Sequence, residues 1–299
     1  MKQPRVASLD VPYVGHPEQT HRITYYTWGE ENAPTVLCVH GLTRNAHDFD
    51  FLADRLSNEF RVIAIDMPGR GKSEWLHYPE EYNLACYMAN MLFFLDTLKI
   101  GPAHWIGTSM GGMLGMVMAA QQPERIRTLV LNDIGAQVAG SALARIGSYV
   151  GKVIQFPNRA AGESALREIY APFGIRDEAV WQNLFTHDLE ELPGGAVRRA
   201  YDPAIGQSWK ADPAQPDMKM WELWEQVRCP TLLIRGEKSD ILTADTAEKM
   251  RQTYPGMQLH TVPGVGHAPT LADEAEIDMI DRFIKQREYT SPGKAERNR

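Results

Sequence analysis

His104-Trp105-Ile106-Gly107-Thr108-Ser109-Met110-Gly111-Gly112 is the stretch from which this chain is read. Its first four residues form a short apolar run of strand length, and MGGMLGMVMAAQQ after Ser109 reads as a helix. A serine in the string Gly107-Thr108-Ser109-Met110-Gly111, at a strand-to-helix junction, marks a strained elbow that lifts its hydroxyl clear of the sheet. Small neighbours are needed because the backbone doubles back on itself, which glycine tolerates. The hydroxyl then sits at the positive end of the following helix. Ser109 is therefore the candidate nucleophile. The competing reading is a serine that only caps a helix.

Outward from the elbow, short apolar runs alternate with longer amphipathic segments. Ile23–Trp28, Thr35–His40, Arg61–Asp66, His104–Gly107, Thr128–Asn132, Thr231–Arg235 and Leu259–Val262 read as strands. Several are almost continuously apolar (TVLCV, RVIAI, TLVLN, TLLI), as expected of parallel strands covered on both faces. Helical spacing occurs over Asn45–Glu59, Tyr82–Leu98, Thr243–Tyr254 and Ala272–Glu288. This alternation predicts an α/β fold with a mostly parallel, doubly wound sheet. Between Ile134 and about Val227 the rhythm stops. Ala142–Gln155, Gly162–Ala171, Asp177–Leu189 and Ala196–Tyr201 read as helices there, the later ones separated by prolines including Pro203, Pro213 and Pro216. An insertion between two strands lies over the strand ends, where open α/β sheets bind ligands. The expected division is a core of residues 1–134 and 228–299 and a helical cap of residues 135–227. The polar tail Tyr289–Arg299 is expected to fray.

A serine hydroxyl needs a base, and the base needs a carboxylate to fix its tautomer. His267, in the loop PGVGHAP after the last predicted strand, is the candidate base. Asp240, in GEKSDIL after TLLIRG, is the candidate acid, giving the chain order serine, acid, histidine. Asp133, directly after TLVLN, is the rival acid, and Glu237 is a third contender. The backbone N–H groups of Leu42 and Met110 are the expected oxyanion donors, since His40-Gly41-Leu42 ends the strand TVLCV and such His-Gly turns lie beside the elbow in this architecture. His40 itself reads as structural. Arg44 and His47 either reach a substrate carboxylate or pair with local acids.

The composition closes other routes. The 299 residues carry 31 Lys and Arg against 38 Asp and Glu, a net charge of −7, which argues against a broad nucleic-acid surface. The longest unbroken apolar stretch, Met110–Ala120, has eleven residues; a membrane-spanning helix takes roughly 20. The opening MKQPRVASLDVPYVGHPEQ lacks the apolar core of a secretory signal. Cys38, Cys86 and Cys229 lie far apart, as in a cytoplasmic protein without disulfides. Gly69-Arg70-Gly71-Lys72-Ser73 looks like the end of a phosphate-binding loop, but position 66 holds Asp where that motif needs glycine. Asp66-Met67-Pro68-Gly69 reads instead as a turn near the catalytic loops. No zinc spacing is present, so neither metal nor cofactor is expected.

Taken together, VLCVHGLTRN, IDMPGRGKS, GTSMGG, IRGEKSD and GVGHAP resemble the α/β-hydrolase superfamily over about residues 20–288. The resemblance implies the α/β-hydrolase fold, a helical cap, Ser109, Asp240 and His267 as a triad, and Leu42 with Met110 as oxyanion donors. Serine at position 109 sets the chain apart from haloalkane dehalogenases and epoxide hydrolases of that superfamily, which carry aspartate there. Esterases, enol-lactonases and carbon–carbon bond hydrolases remain. The last often carry a glycine-rich stretch after the His-Gly turn, where this chain has Leu42-Thr43-Arg44. The expectation is a cofactor-independent serine hydrolase cleaving a small to medium, partly apolar ester. A carbon–carbon or lactone hydrolase is the alternative, and a non-enzymatic ligand receptor or scaffold on the same fold is the alternative of another class. The oligomeric state is not legible.

Overall fold

A computed structural model describes residues 1–290 apart from 153, 210, 211 and 213. The expected helix breaker Pro213 and the tail from 291 onward lie outside the described residues.

The chain opens with β1 (Arg5–Pro12), β2 (Thr20–Trp28) and β3 (Thr35–Val39), then α1 (Asp50–Leu56), β4 (Arg61–Ile65), α2 (Leu84–Thr97), β5 (Ala103–Thr108), α3 (Met110–Gln121) and β6 (Ile126–Asn132). An excursion follows, containing β7 (Gln137–Val138), α4 (Gly140–Tyr149), β8 (Gln155–Phe156), α5 (Arg159–Ile169), α6 (Glu178–Asp188), β9 (Leu189–Glu191), β10 (Val197–Arg199), β11 (Met218–Lys219) and α7 (Trp221–Trp224). The chain then returns through β12 (Thr231–Gly236), α8 (Ala244–Thr253), β13 (Gln258–Val262) and α9 (Glu274–Thr290).

Eight strands form one sheet in the order β1-β2-β4-β3-β5-β6-β12-β13. The six from β4 to β13 in that order run parallel, and β1 and β2 are added antiparallel at one edge. Strand residues alternate between the two faces, so each parallel strand feeds two cores. Leu37, Ile63, Trp105 and Leu129 pack in one core with α2 and α3 residues such as Phe94 and Leu114. Val36, Val62, Ile106 and Val130 pack in the other with Leu52 of α1 and Ile280 of α9. This double coverage explains the unbroken apolar runs. Among the described residues, no helix is long and apolar enough to cross a membrane.

Several elements depart from the sequence reading: the short strands β7, β8, β9 and β11 fall where it had only helices, and two further cases show why. β1 has no counterpart in it, because this edge strand is mostly exposed and RVASLDVP carries no clean alternation. Ala196–Tyr201, read as a helix, contains β10, paired antiparallel to β8 and β9. The turn into it uses Gly194 and Gly195 at φ 86° and 84°, a left-handed pair that reverses the chain into a hairpin. The excursion therefore carries a three-stranded sheet beside its helices, with its own small core around Leu166, Trp181, Phe185 and Val197. Its two ends are joined where β7 pairs with β11.

Candidate active site

Ser109 stands between β5 and α3 at φ 51°, ψ −112°, a conformation unfavourable for a residue with a side chain. The surrounding glycines allow it. A Cβ on Gly107 would lie 2.3 Å from the Gly111 carbonyl, and one on Gly111 would lie 1.9 Å from the Val39 oxygen. The Ser109 N–H donates to the Asn132 carbonyl at 2.9 Å, tying the elbow to the end of β6.

Ser109 Oγ lies 3.0 Å from Nε2 of His267, and Nδ1 of the same ring lies 2.6 Å from Oδ2 of Asp133. With its Nδ1–H donated to the carboxylate, the ring offers Nε2 as an acceptor to the serine hydroxyl. Asp133 is fully buried, whereas the His267 side chain is 18% exposed. Two further donors reach the carboxylate: the Gly236 N–H at 2.8 Å and the Ser239 hydroxyl at 2.6 Å. A buried carboxylate requires such compensation.

Asp240 does not reach the imidazole. It is half-exposed and takes a two-pronged ion pair from Arg145, with Nε 2.6 Å from Oδ2 and Nη2 2.9 Å from Oδ1. The expectation that Asp240 orients His267 is therefore corrected in favour of Asp133. The physical reason lies in the sheet: β6 and β12 are adjacent parallel strands, so both strand ends open beside the same imidazole. Asp133 occupies that place from β6, and the turn after β12 supplies its donors instead of the acid. Glu237, the third contender, accepts the Gly264 N–H.

Leu42 and Met110 flank Ser109. Met110 begins α3, whose first N–H groups have no partner within the helix, and Leu42 lines the same cavity as Ser109. A Cβ on Gly41 would lie 3.7 Å from that of Ser109, which measures how closely this loop approaches. Buried groups hold the loop. His40 Nδ1 lies 2.7 Å from the Gly41 oxygen and Nε2 accepts the Met67 N–H at 3.0 Å, a pattern that requires the neutral Nδ1–H tautomer. Burial pushes the His40 pKa down to about 3. Arg70, fully buried, donates from Nε to the Leu42 carbonyl at 2.8 Å and from Nη1 to the Pro68 oxygen and Tyr87 hydroxyl. Arg70 lies within the string set aside as a false phosphate loop, and nothing in its local sequence marks it as a support for Leu42.

Arg44 pairs with acids: Asp48 in a short contact and Asp188 at 2.9 Å. Arg199 and the Tyr170 hydroxyl share that Asp188 oxygen. His47 stacks on His187 with ring centroids 3.5 Å apart and planes 13° from parallel. With Asp50 these two rings form a group whose ligand atoms lie within 4.8 Å. Imidazole lone pairs lie in the ring plane, so two face-to-face rings do not converge on one ion at the roughly 2.0–2.1 Å of a metal–nitrogen bond.

The relay opens into a cavity of about 850 Å³. Ile146, Tyr149, Tyr170, Phe173 and Leu184 of the excursion line it together with Ser109 and His267.

Residues 34–272 match a family model described as alpha/beta hydrolase fold. A 3-hydroxybutyrate-oligomer hydrolase of Cupriavidus necator is 36% identical over 276 residues, covering 90% of this chain and 94% of that protein. The crystal structure of a putative hydrolase from Rickettsia typhi is similar at 38% identity and a TM-score of 0.88, over 94% of this chain and 99% of that one. An α/β hydrolase from Novosphingobium aromaticivorans matches at 34% identity and a TM-score of 0.84, over 96% and 99%.

Proposed function

Since the chain belongs to the α/β-hydrolase fold family, we propose that it is a serine hydrolase cleaving the ester bond of short hydroxyacid oligomers, with Ser109, His267 and Asp133 as its triad. The observation that carries this reading is the continuous relay from Asp133 through His267 to Ser109, opening into a cavity with apolar walls. Ser109 attacks the ester carbonyl while His267 Nε2 takes its proton, and Asp133 stabilises the imidazolium. The N–H groups of Leu42 and Met110 hold the tetrahedral oxyanion. His267 then protonates the departing alkoxide, and a water activated by the same ring hydrolyses the acyl-enzyme. No step calls for a cofactor.

Residues 135–227 act as a cap, supported by the apolar side chains that this segment contributes to the cavity. The similarity to a 3-hydroxybutyrate-oligomer hydrolase supports the substrate class. Free Cys38, Cys86 and Cys229 support a cytoplasmic setting. The test is hydrolysis of a nitrophenyl ester chain-length series and of linear 3-hydroxybutyrate dimer by the wild type and Ser109→Ala. The wild type turns over short and medium esters and the dimer, and the variant loses at least about 10³-fold in kcat. Equal rates in the two proteins overturn the assignment.

A further inference from the structure

We propose that Arg145 is the docking point for the free carboxylate of the substrate, so that the enzyme selects the acid form of an oligomer over its neutral ester. This rests on the reading of the protein as a hydrolase of hydroxyacid oligomers, since each linear oligomer of that kind ends in one carboxylate.

Arg145 projects from α4 and lines the same cavity as Ser109 and His267. Its Nε and Nη2 are committed to Asp240. A guanidinium carries five N–H donors in a planar fork, and the Nη1–Nη2 edge remains as a second carboxylate-shaped prong. Asp240 holds the plane of the group, and the half-exposed Tyr149 side chain, which lines the same cavity, adds a further hydrogen bond to it that a ligand carboxylate would displace. Asp240 is in turn fixed relative to the relay, because its neighbour Ser239 donates to Asp133.

Charge at this end of the cavity favours an anion. Lys238 precedes Asp240 by two residues, Lys152 follows α4, and both line the cavity. Neither makes an ion pair within 4 Å among the described residues. Three cations thus line the cavity together with Asp240, which pairs with Arg145. Arg44 and Arg199, which also line the cavity, are different: both are buried and matched by Asp48 and Asp188. Drawing either away would strand a buried carboxylate, which is strongly unfavourable. The Arg145–Asp240 pair is 46% and 50% exposed, and pairs of that kind are held weakly enough to adjust to a ligand.

The experiment compares linear 3-hydroxybutyrate dimer with its methyl ester, using wild type, Arg145→Met and Arg145→Lys. The wild type prefers the free acid in kcat/KM, and added salt lowers that preference. Arg145→Met reduces the acid-to-ester ratio by about tenfold or more, through KM rather than kcat, and Arg145→Lys falls between them because it keeps the charge without the fork. An unchanged ratio in Arg145→Met, or a wild type that hydrolyses both forms without preference, overturns this inference and leaves the ester reading standing. A wild type that hydrolyses neither form overturns both. Continued turnover of the methyl ester by each variant reports that it is folded.

Discussion

Oδ2 of Asp133 lies 2.6 Å from Nδ1 of His267, although the two residues are 134 positions apart in the chain. The relay therefore depends on the end of β6. Asp133→Asn reverses the hydrogen-bonding preference at Nδ1, favours the wrong imidazole tautomer and lowers kcat by about 10⁴-fold. Asp240→Asn leaves the relay intact, so its loss in kcat on a neutral nitrophenyl ester stays under about tenfold. Steady-state kinetics of the two variants check this. The opposite ranking returns the acid role to Asp240.

Arg70 acts at one remove on the proposed oxyanion site. Its Nε–H holds the Leu42 carbonyl, and the peptide following that carbonyl sets the course of the loop beside Ser109. Arg70→Met frees the loop, lowering kcat by roughly tenfold to a hundredfold, less than the loss of an oxyanion donor itself. KM changes little. Arg70→Lys, which keeps one donor, recovers part of the rate. A fall in KM-linked binding alone, with kcat intact, is the result that removes Arg70 from this role.

Stability falls on acidification below neutral pH. Burial holds His40 down to about 3 and His104 and His187 to about 4, and lowers His21 as well, from an ordinary value of 6.5. Each of these groups is neutral when folded and takes up a proton when unfolded, so its stabilisation is present above 6.5 and drains away as pH falls towards the folded value. Glu276, raised by burial from 4.5 to about 7, works in the opposite sense, as does Asp66, also raised by burial. The histidines outnumber them, so unfolding below pH 6.5 takes up protons on balance. Urea titrations at pH 7 and pH 5 are expected to show a lower midpoint at pH 5; a higher one contradicts the balance.

Most of the fold was legible because its signals are local. TVLCV, RVIAI and TLVLN announce strands buried on both faces, and Gly107 to Gly111 announce an elbow whose sterics only glycine meets. What escaped depends on partners far along the chain. β1 is recognisable by its eight-residue register with β2 rather than by its own composition. Val197–Arg199 has no strand pattern of its own and becomes β10 through β8 and β9. The acid posed the same difficulty: Asp133 and Asp240 both follow apolar strands, and only the three-dimensional placement separates the residue facing His267 from the one facing Arg145. Arg70 was hidden for that reason too, since its partners come from three separate segments.

The two legs of the excursion are zipped together where Gln137–Val138 meets Met218–Lys219, and the Met220 N–H donates to the Ala136 oxygen at 2.7 Å. Asp133 sits only four residues below that clasp. A hinge at the root of the excursion would swing the carboxylate away from its imidazole with every opening. If the excursion acts as the proposed cap, the clasp puts its bending past residue 138, where it would leave the Asp133–His267 contact undisturbed.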